Sequence, residues 1–397
     1  MTKYPQKKNR ASWKTSLAVI IAMAGQALGE RGLPQEINVF VDHMVQKHGF
    51  QKKALVRLFQ QTKSQPSIIK AIKRPAEAKP WYVYRGIFLT KNRIDHGKRF
   101  MAEHDQLLTT LEKAYGVPSS ILVAIVGIET NYGRSMGSYR VIDALRTLAF
   151  DYPPRASFFT KELERFLLMT REERFDPLSL KGSYAGAMGI AQFMPSSYRL
   201  YAVDFDNDGI RDLFGNMNDA LASVANYFVQ HGWENGAPVA MQADVQPALH
   251  NNKSALQRLI SASSQPSLRL ADLQAAGVLP GEQAAPGDLP QTAGLLALDE
   301  APQRRSFWLV FPNFYVIKRY NNSALYAMAI AQLAQAISPG TLLSQQNNPV
   351  PGKRPKRSKT PGGLDERTKT IPNNPQVAAT RSRHDRAGLR ADAANIR

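Results

Sequence analysis

Residues 120–133 read SILVAIVGIETNYG. Val117-Pro118-Ser119 punctuates the chain just before this run, and proline and serine suit a helix start. From 120 to 130 nearly every position is apolar, on all sides of a 3.6-residue period. A helix that is apolar all round is a buried one, so this segment predicts the central helix of a helical core. Helical spacing continues on both sides. Upstream, residues 36–73 place Val39, Phe40, Met44, Leu55, Leu58 and Phe59 at helical intervals, and 91–115 forms a second run. Downstream, helices are expected at 141–150, 156–169, 190–200 and 219–230.

After Trp233 the texture changes. Residues 237–305 are rich in Pro, Gly, Gln and Ala, with one small helix expected at 254–260. Residues 306–311 and 314–319 are aromatic and β-branched and flank Pro312-Asn313, so both read as β-strands. A last helix is expected at 323–337. The fold class is therefore mainly α, of the α+β kind, with a small β-containing insertion. No solenoid-type repeat is present.

Composition bounds the remainder. The chain has 397 residues, 43% hydrophobic, a formal charge of +19 and no cysteine. Disulfides, thiol nucleophiles and thiolate metal sites are excluded, as is lipid anchoring through an N-terminal cysteine. No stretch approaches the roughly 20 apolar residues of a membrane-spanning helix. The basic charge favours polyanions such as nucleic acid, anionic lipid or an acidic cell-wall polymer. Much of it is concentrated in Lys353, Arg354, Lys356, Arg357 and Lys359. Residues 339–397 are too poor in apolar side chains to offset their ordering entropy and are expected to be disordered. At the other end, Lys3, Lys7, Lys8, Arg10 and Lys14 precede the short apolar stretch LAVIIAMA at 17–24, and Ala22-Met23-Ala24 fits the small-x-small rule. Residues 1–24 are expected to be an export signal, which places the protein in the periplasm.

Asp204, Asp206 and Asp208 alternate, followed by Gly209, Ile210 and Asp212. Carboxylates at alternate positions converge when the chain turns, Gly209 permits the turn, and the Ile210 carbonyl points inward. This is the start of an EF-hand-type loop, and its hard oxygen donors suit Ca²⁺. The usual twelfth-position glutamate is replaced by Gly215, and Asp219 is the candidate closing carboxylate. Such an ion would be structural. The same pattern also suits a solvated polar turn.

Glu129 ends the buried helix. Apolar surroundings and the negative end of the helix dipole both favour its neutral form, as a general acid for glycosidic cleavage requires. Position alone equally admits a glutamate that has emerged into solvent. A second segment, GSYAGAMGIAQFMPSS at 182–197, is dominated by small residues that let a ligand or another helix come close. Ser183 and Gln192 within it are suited to orient sugar hydroxyls or acetamides. Tyr132, Tyr184 and Phe193 offer rings for stacking, or for packing.

Three stretches, IETNYGRSMGSYRVIDALRTLAFDYP, GSYAGAMGIAQFMPSSYRLYAVDFDNDGIRDLF and NDALASVANYF followed by HGW, closely resemble the B-type lytic murein transglycosylases. The resemblance spans about residues 37–333. It implies a goose-type lysozyme-like core. The expected organisation is a helical domain at 35–108 completed by 323–338, a catalytic core at 109–236 and an insertion at 237–322. The family's catalytic glutamate matches Glu129, and its sugar-contacting serine and glutamine match Ser183 and Gln192. Tyr320, Asn321 and Tyr326 match residues of its cleft. Its calcium site matches Asp204, Asp206, Asp208, the Ile210 carbonyl and Asp219; some members carry Ser or His at these positions, so Asp206 makes this site more anionic.

The implied reaction cleaves the bond between N-acetylmuramic acid and N-acetylglucosamine in peptidoglycan and leaves a 1,6-anhydro end. One glutamate serves as acid and then base, where ordinary glycosidases use two carboxylates. No organic cofactor is implied. The partners are glycan strands, with other cell-wall enzymes reachable through the basic tail, and a monomer is expected. The residues leave open a hydrolytic lysozyme, a non-catalytic wall-binding protein, and nonspecific nucleic-acid binding through the tail.

Overall fold

The computed structural model describes residues 32–73, 79–281 and 289–338. The expected export signal at 1–24 and the expected disordered tail at 339–397 lie outside them. The chain divides into two compact units between Lys63 and Ser64.

The first unit holds α1 (Gln35–His48) and α2 (Lys52–Gln60). Gly49 ends α1 in the left-handed region, φ 66°, and its N–H returns to the Val45 carbonyl. That C-terminal closure is open to glycine without strain. The two helices meet through Phe40 and Phe59, ring edge to ring face at 5.8 Å.

The second unit begins with α3 (Pro66–Ile72), α4 (Trp81–Phe88), α5 (Lys91–Glu103) and α6 (Asp105–Tyr115). The run expected at 91–115 breaks at His104. Next comes α7 (Ser119–Thr130), buried from Ser119 to Gly127. It packs against α5, α6 and two later helices, α11 (Met217–Gln230) and α16 (Ala324–Ile337). Its apolar sequence is thus spent on four neighbours. No single helix among the described residues is long and apolar enough to cross a membrane.

Between α7 and α11 lie a two-residue pair of strands, β1 (Tyr139–Arg140) with β2 (Lys181–Gly182), and α8 (Val141–Phe150), α9 (Ala156–Glu172) and α10 (Pro195–Tyr201). The helix expected at 190–200 starts only at Pro195. Gly189 and Gln192 have φ of 71° and 49°, and Met188 and Phe193 pair as an isolated bridge. A continuous helix cannot accommodate these angles.

The insertion is one antiparallel sheet in the order β4-β6-β7-β3-β5. Its strands are β3 (Ala240–Val245), β4 (Leu268–Arg269), β5 (Val278–Pro280), β6 (Thr292–Ala301) and β7 (Arg304–Val310). Helices α12 (Pro247–Asn251), α13 (Lys253–Ala262) and α14 (Leu270–Ala275) accompany it. Met241, Leu249, Leu256, Leu273, Leu295 and Leu309 are among its buried core. Residues 314–319, expected as a strand, belong instead to α15 (Pro312–Tyr320). Pro312 occupies its first turn, where proline is preorganised. Asn313, Phe314, Val316 and Ile317 are buried, and the 313/317 and 314/317 spacings also fit one helix face. Asn313 joins the insertion to the core: its side chain accepts from the Glu234 N–H and donates to the carbonyls of Glu234 and Ala237.

Helices α5 and α7 approach closely around the Tyr132 ring, which lies against two glycines. A Cβ on Gly127 would stand 2.7 Å from the Tyr132 ring, and one on Gly97 would stand 2.6 Å from its hydroxyl. Gly127→Ala is expected to destabilise by about 1–3 kcal/mol through overpacking. Gly86→Ala, in α4 with nothing within 4 Å of its added Cβ, is expected to stabilise by about 0.5–1 kcal/mol. Urea midpoints of the two variants check both signs.

Candidate active site

The C-terminal end of α7 sets the position of Glu129. Asn131, Tyr132 and Gly133 follow with φ of 50°, 62° and 80°, a tight left-handed reversal. It is locked from several sides. The Tyr132 N–H donates to the Val126 carbonyl, the Ser135 N–H to that of Thr130, and the Tyr132 hydroxyl to that of Arg93. The last penetrating carboxyl of the helix is therefore fixed in direction and half-buried.

Its partner comes from the far end of the unit. The Tyr326 hydroxyl donates to Glu129 Oε1 at 2.7 Å. Tyr326 is only 2% exposed, and burial holds its hydroxyl well above the usual phenol range. It stays protonated and acts as a donor. Ser323 caps α16 by accepting from the Tyr326 N–H, and α4, which carries Tyr84, packs against α16.

Ser183 and Gln192 lie in the irregular segment between β2 and α10. Ser183 Oγ accepts from the Ala187 N–H at 3.1 Å, closing a small loop. Gln192 is 8% exposed, and its Nε2 donates to the carbonyls of Met136 and Gly189 at 3.1 and 2.9 Å. Further hydrogen bonds tie this segment to its surroundings. The buried Thr130 hydroxyl, next to Glu129, reaches the Ile190 carbonyl at 3.1 Å and accepts from the Gly133 N–H. The Tyr320 hydroxyl donates to the Ala191 carbonyl.

Of the expected cleft residues, Glu129 and Tyr326 are in direct contact. Gln192 and Tyr320 meet through the 191–192 backbone. Asn321 follows α15 with a half-buried side chain that bonds no group among the described residues. Tyr132 and Phe193 are 7% and 3% exposed, so their rings pack and do not offer open faces. Phe193 meets the rings of Tyr227 and Tyr320 at 5.7 and 5.8 Å. Thr130 and Tyr84 were not singled out from sequence. Thr130 carries a signal in its adjacency to Glu129; Tyr84, within an aromatic run, carries none.

The acidic loop brings Asp204, Asp206 and Asp219 together, with a ligand oxygen of each within 4.8 Å of the others. Asp219 is fully buried and accepts from the Phe205 and Asp212 N–H groups at 2.7 and 2.8 Å. Desolvation pushes its carboxyl up to about 6. The Asn216 amide, bonded to Asp206 at 2.7 Å, is the main cause holding that carboxyl below its ordinary value. Asp204 accepts from the N–H groups of Asp208 and Gly209. The Asp208 carboxylate turns to the Ile210 N–H at 2.8 Å and is outside the converging trio. All the donors are hard oxygens, and a buried carboxylate faces two others, so the donor set fits a divalent cation of the calcium type. The loop continues into the catalytic region: the Ile190 N–H donates to the Leu213 carbonyl at 2.7 Å.

The model of the transglycosylase SLT domain family matches residues 33–335. The chain is 43% identical over 310 residues to the membrane-bound lytic murein transglycosylase B of Escherichia coli, covering 75% of this chain and 81% of that one. The crystal structure of soluble lytic transglycosylase SltB1 from Pseudomonas aeruginosa superimposes with a TM-score of 0.70 and 46% identity, covering 76% of this chain and 98% of that one. The Escherichia coli lytic transglycosylase Slt35 in complex with calcium gives 0.68 and 42%, over 76% of this chain and 92% of that one. The chain belongs to the SLT-domain transglycosylases, and it is a lytic murein transglycosylase.

Proposed function

We propose that Glu129 is the single acid and base of murein cleavage in this enzyme. The observation that carries this reading is the 2.7 Å bond from the buried Tyr326 hydroxyl to a carboxyl at the end of a buried helix. Glu129 protonates the oxygen between N-acetylmuramic acid and N-acetylglucosamine. The substrate's own acetamide stabilises the oxocarbenium-like centre, so no second carboxylate is needed. Glu129, now ionised, removes the proton from the C6 hydroxyl of the muramic residue as that oxygen closes the 1,6-anhydro ring. The proton thus returns to Glu129, and no water is consumed.

The surrounding groups orient. Tyr326 donates to Glu129 and favours the carboxylate that remains after the first transfer. Ser183, Gln192, Tyr320 and Asn321 line the path of the sugar chain. Of these, Gln192 and Tyr320 are held by backbone carbonyls, so they approach the substrate preorganised. The enzyme acts in the periplasm, where murein lies.

Calcium binds in the loop of Asp204, Asp206 and Asp219; of the set expected from the sequence, Asp208 instead accepts from the Ile210 N–H. The ion's contribution is charge compensation and stability. The Slt35 structure, solved as a calcium complex, supports this reading.

Glu129→Gln is expected to fold and to bind glycan while losing about a thousand-fold or more in rate, within the range for a lost acid/base group. Release of soluble fragments from sacculi, measured beside sedimentation binding, checks it; turnover near wild type would assign the chemistry elsewhere.

Calcium at about one hundred times its Kd is expected to stabilise the fold by about 2.7 kcal/mol. The pH dependence follows from Asp219. Its carboxyl is raised in the metal-free loop, to about 6, so protons compete with the ion below that value. The calcium-dependent rise in melting temperature is therefore present above pH 6 and shrinks as pH falls through about 6. Thermal melts with calcium and with chelator across this range test it, and Asp219→Asn should abolish the rise at every pH.

A further inference from the structure

A second cleft, of about 600 Å³, opens where the insertion meets the start of α4. The turn between β6 and β7 forms one wall, α13 another, and Pro80 with Tyr82 the third. Its charge is one-sided. His250, Lys253, Arg304 and Arg305 line it against a single carboxylate, Asp299. That carboxylate is already paired with Arg305 at 2.9 Å. The neighbouring Glu300 is likewise taken, by Arg85 at 2.7 Å and by Ser306. Among the described residues Lys253 and Arg304 meet no carboxylate, and both are exposed. Tyr82 adds a ring that is 38% exposed. Two unpaired cations beside an open aromatic face form a site for a flexible ligand that carries carboxylates, the chemistry of an acidic peptide.

One helix is shared between the cleft wall and the surroundings of Glu129: α4 lends Tyr82 to the cleft and packs against α16. Tyr82 and Tyr84 stand two residues apart on α4. Ser323 caps the helix α16 that presents Tyr326 to Glu129. A polymer that runs on past the reacting bond carries its side branches to surfaces beyond the site itself. Murein is such a polymer: each muramic residue bears a short peptide that ends in free carboxylates.

We propose that this cleft is an accessory subsite for the carboxylates of murein peptide stems, with Lys253 and Arg304 as the binding cations and Tyr82 as the packing face. It makes the enzyme prefer peptide-bearing strands over bare glycan. The subsite rests on murein being the substrate and is independent of which residue is the acid, because its test reads turnover of the wild-type catalytic centre.

The test compares two substrates: whole sacculi, and glycan strands stripped of their peptides by an amidase. The variant carries Lys253→Gln with Arg304→Gln. A control carries the same charge change in α2, Lys53→Gln with Arg57→Gln. The cleft variant should raise KM on peptide-bearing strands about three- to ten-fold, the effect of removing two partly exposed charge pairs. Its kcat, its KM on stripped glycan and its melting temperature should match wild type, and the control should match wild type on both substrates. An equal rise on both substrates, a rise matched by the control, or no rise at all would overturn the subsite. A variant that loses affinity for anionic phospholipid vesicles while its murein kinetics stay unchanged would also overturn it, and would give the cleft to a headgroup.

Discussion

A carboxyl at the C-terminal end of a buried helix is in a poor place. Apolar neighbours do not solvate it, and the helix carbonyls present their negative ends. A donor brought from elsewhere in the chain orients it, the Tyr326 hydroxyl. Much of the second unit can be read as the means of delivering this hydroxyl. Helix α16 packs along α7, Ser323 caps α16 in register, and α4 packs against α16. On the other side Thr130 and Tyr320 pin the segment of Gln192 at consecutive carbonyls, those of Ile190 and Ala191. Removing any of these contacts loosens the carboxyl and the segment beside it.

The acidic loop and the catalytic segment are neighbours through backbone. Leu213, just past the turn that gathers Asp204, Asp206 and Asp219, accepts from Ile190, whose own carbonyl bonds Thr130. An ion that holds the loop thereby steadies the segment on which Gln192 sits. The β-insertion is joined by a different fixture, the fully buried Asn313 amide, which satisfies three backbone groups at the seam. A lysozyme-like helical core, an acidic loop and a basic cleft at the β6–β7 turn are thus separate parts of one unit.

Where periodicity was strong, the sequence was legible. The all-apolar α7 and the helix at 141–150 follow from spacing alone, since a run with no polar face has to be buried. The strand expected at 314–319 failed because aromatic and β-branched residues carry strand propensity, while Pro312 and the buried 314/317 pair made a helix the better packing. Strand β6 was missed for the converse reason: Leu and Ala at 293–298 favour helix locally, yet the space opposite Val310 admits only Gly294 beside the Tyr315 hydroxyl. Within the site, Glu129 and the acidic loop were visible because charges stood out against apolar or turn-forming neighbours. Tyr326 was reachable only through resemblance, because its partner lies 197 residues away, and no local pattern encodes such a pairing.

The central claim is that one side-chain acid closes the sugar ring internally, with the muramic C6 oxygen doing what water does in a hydrolase. Digestion of sacculi in water enriched in ¹⁸O reads this directly by mass spectrometry of the released chain ends. The account predicts anhydro ends that carry no heavy oxygen. Reducing ends labelled at C1 would contradict it and would make the enzyme a muramidase.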